Sequence, residues 1–152
     1  MRRLLALCAL FTAAAADPQE VKLLPEGPAK ETVVKACLEC HGVANFRKVR
    51  KDADGWTDSV QDMVDRGAKA TQPEMDAIVA YMVTNFGKDA KVQMNSAPLE
   101  EIKAVLGFSV PEAQAIVNYR EKNGPYKEWR DVLQAGGVDP AKVEAKKDAM
   151  AF

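Results

Sequence analysis

The chain holds one histidine and three cysteines in 152 residues, and only 7% of its side chains are aromatic. Nowhere does it approach the roughly 20 consecutive apolar residues that a membrane span requires. Neither charge dominates, the formal net charge being −1. Composition therefore favours unspecific binding neither to nucleic acid nor to an anionic membrane. Each scarcity excludes something further. One histidine and so few thiols cannot build a four-ligand zinc site. No strand-like stretch is evident, and without one the βαβ setting of a thioredoxin-like Cys-x-x-Cys pair is missing. Few aromatics make a thin protein-only core, which a large apolar cofactor would thicken. No paired carboxylates, nucleophile elbow or phosphate loop occurs at meaningful spacing.

What is present reads as globular, with 47% hydrophobic and 28% charged residues. The length suits one ordinary domain or two very small ones. Met1-Arg2-Arg3 is a basic opening, Leu4 to Phe11 an apolar run, and Ala14-Ala15-Ala16 a small-residue cleavage site. Together they read as a signal segment that leaves Asp17 as the first mature residue and discards Cys8. Removing Arg2 and Arg3 leaves 19 basic against 22 acidic side chains.

The two remaining cysteines stand in Cys37-Leu38-Glu39-Cys40-His41, the Cys-x-x-Cys-His pattern of covalent c-type haem attachment. The spacing follows from chemistry. Two thiols about one helical turn apart reach the two vinyl groups on one porphyrin edge, and His41 beneath the ring donates a nitrogen to iron. Export agrees with this, since such attachment takes place outside the bacterial cytoplasm. With the sole histidine used, the sixth iron position is methionine, a weaker ligand, or open.

Among the methionines, Met75 and Met82 share a face with Ile78, Val79 and Phe86 on a helix expected over Gln72 to Phe86. That helix opens on the capping box Thr71-x-x-Glu74 and stops at Gly87, so both methionines read as core. Met94 falls in an expected linker. Met63 follows Trp56 and Val60 on an amphipathic run from Trp56 to Arg66 and is the expected distal ligand, with Met82 in reserve.

Residues 25 to 87 resemble a class I cytochrome c domain, similar to the haem-binding part of quinohaemoprotein dehydrogenases. The resemblance rests on Leu24-Pro25-Glu26-Gly27-Pro28, Cys37-x-x-Cys40-His41-Gly42, Trp56, Val60, Met63, Gly67-Ala68, Ile78, Tyr81 and Asn85-Phe86-Gly87. It implies an axial methionine ahead of a final helix whose aromatic residue packs near the haem edge, and Met63 lies 18 positions before Tyr81. The Met-Pro loop usual in that family is missing.

After Gly87 the composition shifts. Lys88 to Asn95 is polar, Ser96 is placed to cap a helix from Pro98 to Leu106, and Pro111 opens another through Asn123. Trp129 to Leu133 reads as a short helix, and Asp139-Pro140 starts a last one. Asn95-Ser96-Ala97, Leu99, Ile102, Leu106-Gly107, Ala113, Ile116-Val117, Tyr119-Arg120-Glu121, Asn123-Gly124-Pro125-Tyr126, Leu133, Gly136 and Val138 resemble the helix-hairpin-helix domain of periplasmic competence-type DNA receptors. In DNA-binding members each hairpin turn carries glycine, an apolar residue and glycine, so that backbone amides approach a phosphate. Here the turns read Gly107-Phe108-Ser109 and Gly137-Val138-Asp139, each without its second glycine. Eight basic against nine acidic residues over 95–152, and Asp139 in a turn, disfavour DNA. They favour a docking module, or one that shields the haem edge. The basic stretch Arg47-Lys48-Val49-Arg50-Lys51 reads as an exposed loop, or as a meeting point for haem propionates or an acidic partner.

The expectation is thus an all-α protein: signal peptide 1–16, cytochrome c haem domain 17–87, linker 88–94 and helix-hairpin-helix domain 95–152. It is expected to be periplasmic or otherwise exported and to carry one covalent haem c on Cys37 and Cys40, with His41 and Met63 on the iron. It would exchange single electrons with a redox partner such as a periplasmic dehydrogenase or oxidase, and is not expected to be an enzyme by itself. Two alternatives stand beside it: a periplasmic DNA- or protein-binding module with accessory haem, and an open-site haem protein acting as peroxidase or sensor.

Overall fold

The computed structural model describes residues 16–152; apart from Ala16, the expected signal segment lies outside them. Helices dominate. The first five are α1 (Pro18–Lys22), α2 (Lys30–Cys37), α3 (Ala44–Arg47), α4 (Ala53–Asp65) and α5 (Gln72–Phe86). The last three are α6 (Leu99–Leu106), α7 (Val110–Asn123) and α8 (Pro140–Lys146), with a 3-10 segment at Trp129–Gln134 between α7 and α8.

The ends of α5 show how local chemistry sets these boundaries. The Thr71 amide and hydroxyl donate to the Glu74 carboxylate at 2.7 and 2.8 Å, and Pro73 sits in the first turn, where no amide donor is needed. One face of α5 buries Met75, Ile78, Tyr81, Met82 and Phe86. Helix α4 packs along α5 and presents Trp56 and Val60 to it. The Trp56 indole N–H donates to the Phe86 carbonyl at 3.0 Å, satisfying a buried donor. These side chains, with Leu24, Val33, Val43 and Phe46, form one apolar cluster drawn from residues 24–86.

A second cluster is drawn from residues 92–150 and includes Val92, Met94, Ile102, Leu106, Phe108, Ile116, Val132 and Val143. Two features here differ from expectation. The chain does contain strands: β1 (Val92–Gln93) and β2 (Met150–Ala151) pair in parallel, Val92 opposite Met150. Two residues are too few to show a period of two, so sequence pattern cannot announce them. Met94, placed in a linker by the sequence, is fully buried. Its amide donates to Ala151 at 2.9 Å, and its carbonyl accepts from the Arg120 guanidinium. A smaller departure is that Pro98, not Ser96, occupies the N-cap position of α6.

The two clusters meet at α3 and α6. Arg47, fully buried on α3, donates through Nε to Glu101 of α6 at 2.6 Å, and Arg50 reaches the same carboxylate at 2.8 Å. Both guanidinium groups lie 5.8 Å from the centre of the Phe86 ring. Lys51 turns to Ser59 and lies near Trp56. The stretch 47–51 is therefore no plain exposed loop: Arg47 and Arg50 tie the two units together. The sequence offered no sign of this, because their counter-ion lies more than fifty positions away.

Candidate functional site: an apolar hollow and two hairpin turns

Two places in the chain carry unusual chemistry. The first is a half-open hollow of about 500 Å³ bordered by α2, α3, α4 and α5, within the size range of small-molecule and cofactor sites. Cys37, Cys40 and His41 line it, and so do Met63, Trp56, Val60, Ile78 and Met82. All four residues singled out in the sequence thus stand on the wall of one cavity, as does Met82. Most of the lining is apolar, which fits a large hydrophobic occupant.

Local structure explains how the motif reaches this wall. Cys37 is the last residue of α2, and the turn that follows carries Cys40 and His41 to the cavity. Both thiols are free. Burial, then the neighbouring Cys40, push the Cys37 thiol up to about 11. It stays protonated at neutral pH, unlike the activated thiol of a disulfide-exchange pair. His41 Nδ1 lies 3.3 Å from the Gly42 carbonyl oxygen; a proton on that nitrogen leaves Nε2 as the lone-pair nitrogen. Among the described residues no cluster of three or more His, Cys, Asp or Glu forms a metal cage.

The second place is the pair of turns in the C-terminal unit. The first joins α6 to α7, the second joins the 3-10 segment to α8, and they follow the same plan. Gly107 and Gly137 have φ of 76° and 87°, the left-handed region that glycine enters without strain. The middle residues Phe108 and Val138 both turn inward and are buried. The third residues, Ser109 and Asp139, are extended N-caps with φ of −69° and −71°. This accounts for the missing second glycines, since neither third position needs left-handed backbone. The Asp139 side chain accepts from the Ala141 amide at 2.9 Å and caps its own helix.

One carboxylate joins the two turns. Glu112 Oε2 accepts from the Ser109 amide at 2.7 Å, the Ser109 hydroxyl at 2.6 Å and Lys142 Nζ at 2.7 Å. Its Oε1 accepts from the Asp139 amide at 3.4 Å. Lys142 also lies 5.6 Å from the centre of the Phe108 ring. These partners, Lys142 first, then the Ser109 hydroxyl and amide, hold Glu112 down to about 2. Sequence reasoning passed over this residue, although Ser109-x-x-Glu112 is a capping-box pattern. Its link to the second turn, 27 positions on, had no sequence signal.

Two helical hairpins of like geometry, set one after the other, make the C-terminal unit a tandem helix-hairpin-helix module. Residues 87–150 match the helix-hairpin-helix motif. The chain is 34% identical over 64 residues to ComE operon protein 1 of Bacillus subtilis, covering 42% of this chain and 31% of that protein. It is 35% identical over 63 residues to an uncharacterized protein of Haemophilus influenzae, covering 41% of this chain and 56% of the relative. Over 61 residues it is 30% identical to endonuclease/exonuclease/phosphatase family domain-containing protein 1 of Mus musculus, or 40% of this chain and 11% of that one. The chain therefore spans less than two thirds of the curated relatives it matches. No solved structure matches it.

These matches overturn the expectation of a monohaem electron-transfer cytochrome. The motif match falls on the half that the sequence reading treated as an accessory. The matches point to helix-hairpin-helix proteins, and nothing in them answers to cytochrome, haem, iron or electron transport. A dehydrogenase or oxidase as redox partner loses its basis with them. The ranking that placed DNA behind a docking role is reversed. That ranking summed charge over the unit, whereas the match runs along the sequence of residues 87–150. No helix among the described residues is long and apolar enough to cross a membrane.

Proposed function

We propose that the chain is an exported DNA-binding protein whose helix-hairpin-helix unit holds the phosphate backbone of DNA. The observation that carries this reading is the match over residues 87–150, joined to two turns of equivalent shape. The competence-type receptors that the unit resembles use such turns on DNA, and the basic opening and Ala14-Ala15-Ala16 support export. Backbone contacts fix a protein on DNA without reading sequence, so the reading is of a binder with little base preference. Lys122, Lys127 and Lys146 are exposed and have no ion pair among the described residues. They would supply the charge. The reading is of a binding protein rather than an enzyme.

The direct test is retention of a labelled DNA duplex at several salt concentrations. A slope of log affinity against log salt of about −0.9 per neutralised phosphate is expected, shallower by about one in Lys146→Ala. Affinity absent at the lowest salt, or indifferent to salt, would end the reading.

The hollow supports a second element: an accessory haem c bound covalently through Cys37 and Cys40, with His41 and Met63 as iron ligands. The residues fit such a group. Thiols and an imidazole share one apolar wall, and His41 Nε2 is free of protein partners among the described residues. Both terminal nitrogens of Arg47 and Nε of Arg50 are buried without a partner among the described residues. The two arginines adjoin Phe46, Val49 and Lys51 in sequence, residues that line the cavity, and would be donors for an anionic group. When bound, the haem would supply a redox-active iron. The chain's own part is to anchor the ring edge, present a nitrogen and a thioether, and keep water from the apolar wall. Intact mass of the exported protein is the check. A covalent haem adduct lost in Cys37→Ala/Cys40→Ala supports it, and an unmodified mass after export with attachment machinery present rules it out.

A further inference from the structure

The Glu112 carboxylate sits where the two hairpin turns converge and takes up donors from both. It accepts from the amides of Ser109 and Asp139, the third residues of turns built alike, and from the ammonium of Lys142. Glu112 is buried, so its charge is shielded from solvent and its partners are held closely. In the DNA-binding members the unit resembles, turn amides are what approach a phosphate. Here a carboxylate, also an anion with hydrogen-bond-accepting oxygens, already occupies them.

We propose that Glu112 is an internal stand-in for a DNA phosphate, an autoinhibitory contact that withholds the turn amides and Lys142 from the nucleic-acid backbone. The inference rests on the DNA-binding reading and concerns what limits its strength. It explains how a unit with matching turn geometry carries so little free positive charge: Lys142, beside the second turn, is neutralised from within. A phosphate engages this point only by displacing Glu112 from Lys142 and Ser109. With Glu112 in place, contact with DNA rests on the exposed lysines and leaves the turns out.

The test compares the full exported chain with Glu112→Gln, Lys142→Ala and the double variant, each binding the same labelled DNA duplex across a salt series. Glutamine can still serve the capping box with Ser109, and circular dichroism verifies that helix content is kept. Glu112→Gln should bind on the order of tenfold tighter, the scale of one added charge-assisted hydrogen bond, with a salt slope steeper by about one. The gain should vanish in Glu112→Gln/Lys142→Ala. Lys142→Ala alone should match the parent, because that lysine is already occupied, and this arm holds even if the glutamine variant folds poorly. If the parent retains DNA but Glu112→Gln binds no tighter, or Lys142→Ala alone loses affinity, the stand-in is wrong and the DNA reading survives. If neither parent nor Glu112→Gln binds at low salt, both fall.

Discussion

The two halves of the molecule solve the problem of a small core in opposite ways. The second unit fills its interior with its own side chains. Val92, Met94, Ile102, Leu106, Ile116, Val132 and Val143 are fully buried, and its buried tyrosine finds partners. Tyr126 donates its hydroxyl to the Ile116 carbonyl at 2.8 Å, and its backbone pairs in both directions with the Asn95 amide at 2.7 and 2.8 Å. The first unit instead borders about 500 Å³ of space and buries guanidinium nitrogens that have no partner among the described residues. Protein interiors are close-packed, with few voids larger than a water molecule. The hollow of the first unit is an exception to that packing, lined by Cys37, Cys40, His41 and Met63.

The sharpest way to break this comparison is at the seam. Glu101→Ala would leave Arg47 buried without its counter-ion and should destabilise the chain by about 3–5 kcal/mol. Chemical denaturation followed by tryptophan fluorescence reads it, since Trp56 lies in one unit and Trp129 in the other. Next comes a matched pair of truncations. Ile102→Ala, in the filled core, should cost about 2–5 kcal/mol. Met63→Ala, on the wall of the hollow and only half-buried, should cost less than about 1 kcal/mol in protein free of any occupant, because few packed atoms are lost. Equal costs would dissolve the contrast.

The smallest effect concerns acid. Both units hold a glutamate down to about 2. In Glu74 the cause is first the Thr71 amide, then Lys35 and the Thr71 hydroxyl; in Glu112 it is first Lys142, then Ser109. A depressed carboxylate stabilises the fold above its ordinary value of 4.5 and loses that contribution as pH falls from about 4.5 towards 2. Glu74 lies at the surface, open to screening, and Glu112 is buried. Salt near 1 M, where the Debye length is about 3 Å, should therefore flatten the acid dependence of Glu112→Gln more than that of Glu74→Gln. Thermal melts between pH 2 and 6 for each variant read the difference.

The sequence made some of this legible and hid the rest for physical reasons. Helix α5 was readable to the residue, because a capping box, a proline in the first turn and a closing glycine are local signals. So was the start of α8 at Pro140. Contacts between distant positions were not. The basic run at 47–51 reads as solvent-exposed until Glu101 arrives from α6, and Glu112 reads as a helix cap until the second turn folds against it. Summed charge misled for the same reason. It counts Lys142 as free, when a single long-range contact neutralises it. Met63 remained a choice among several methionines, since nothing local separates a residue lining a hollow from one filling a core.

The short parallel pairing of β1 with β2 reaches beyond stability. By setting Val92 beside Met150, it brings the entrance and exit of the C-terminal unit to one edge. A unit whose ends meet behaves as a cassette: it can be spliced behind, before or within another polypeptide while disturbing its host at a single point. Partial coverage of relatives of very different length, 31% of one and 11% of another, is the pattern such a portable cassette would leave.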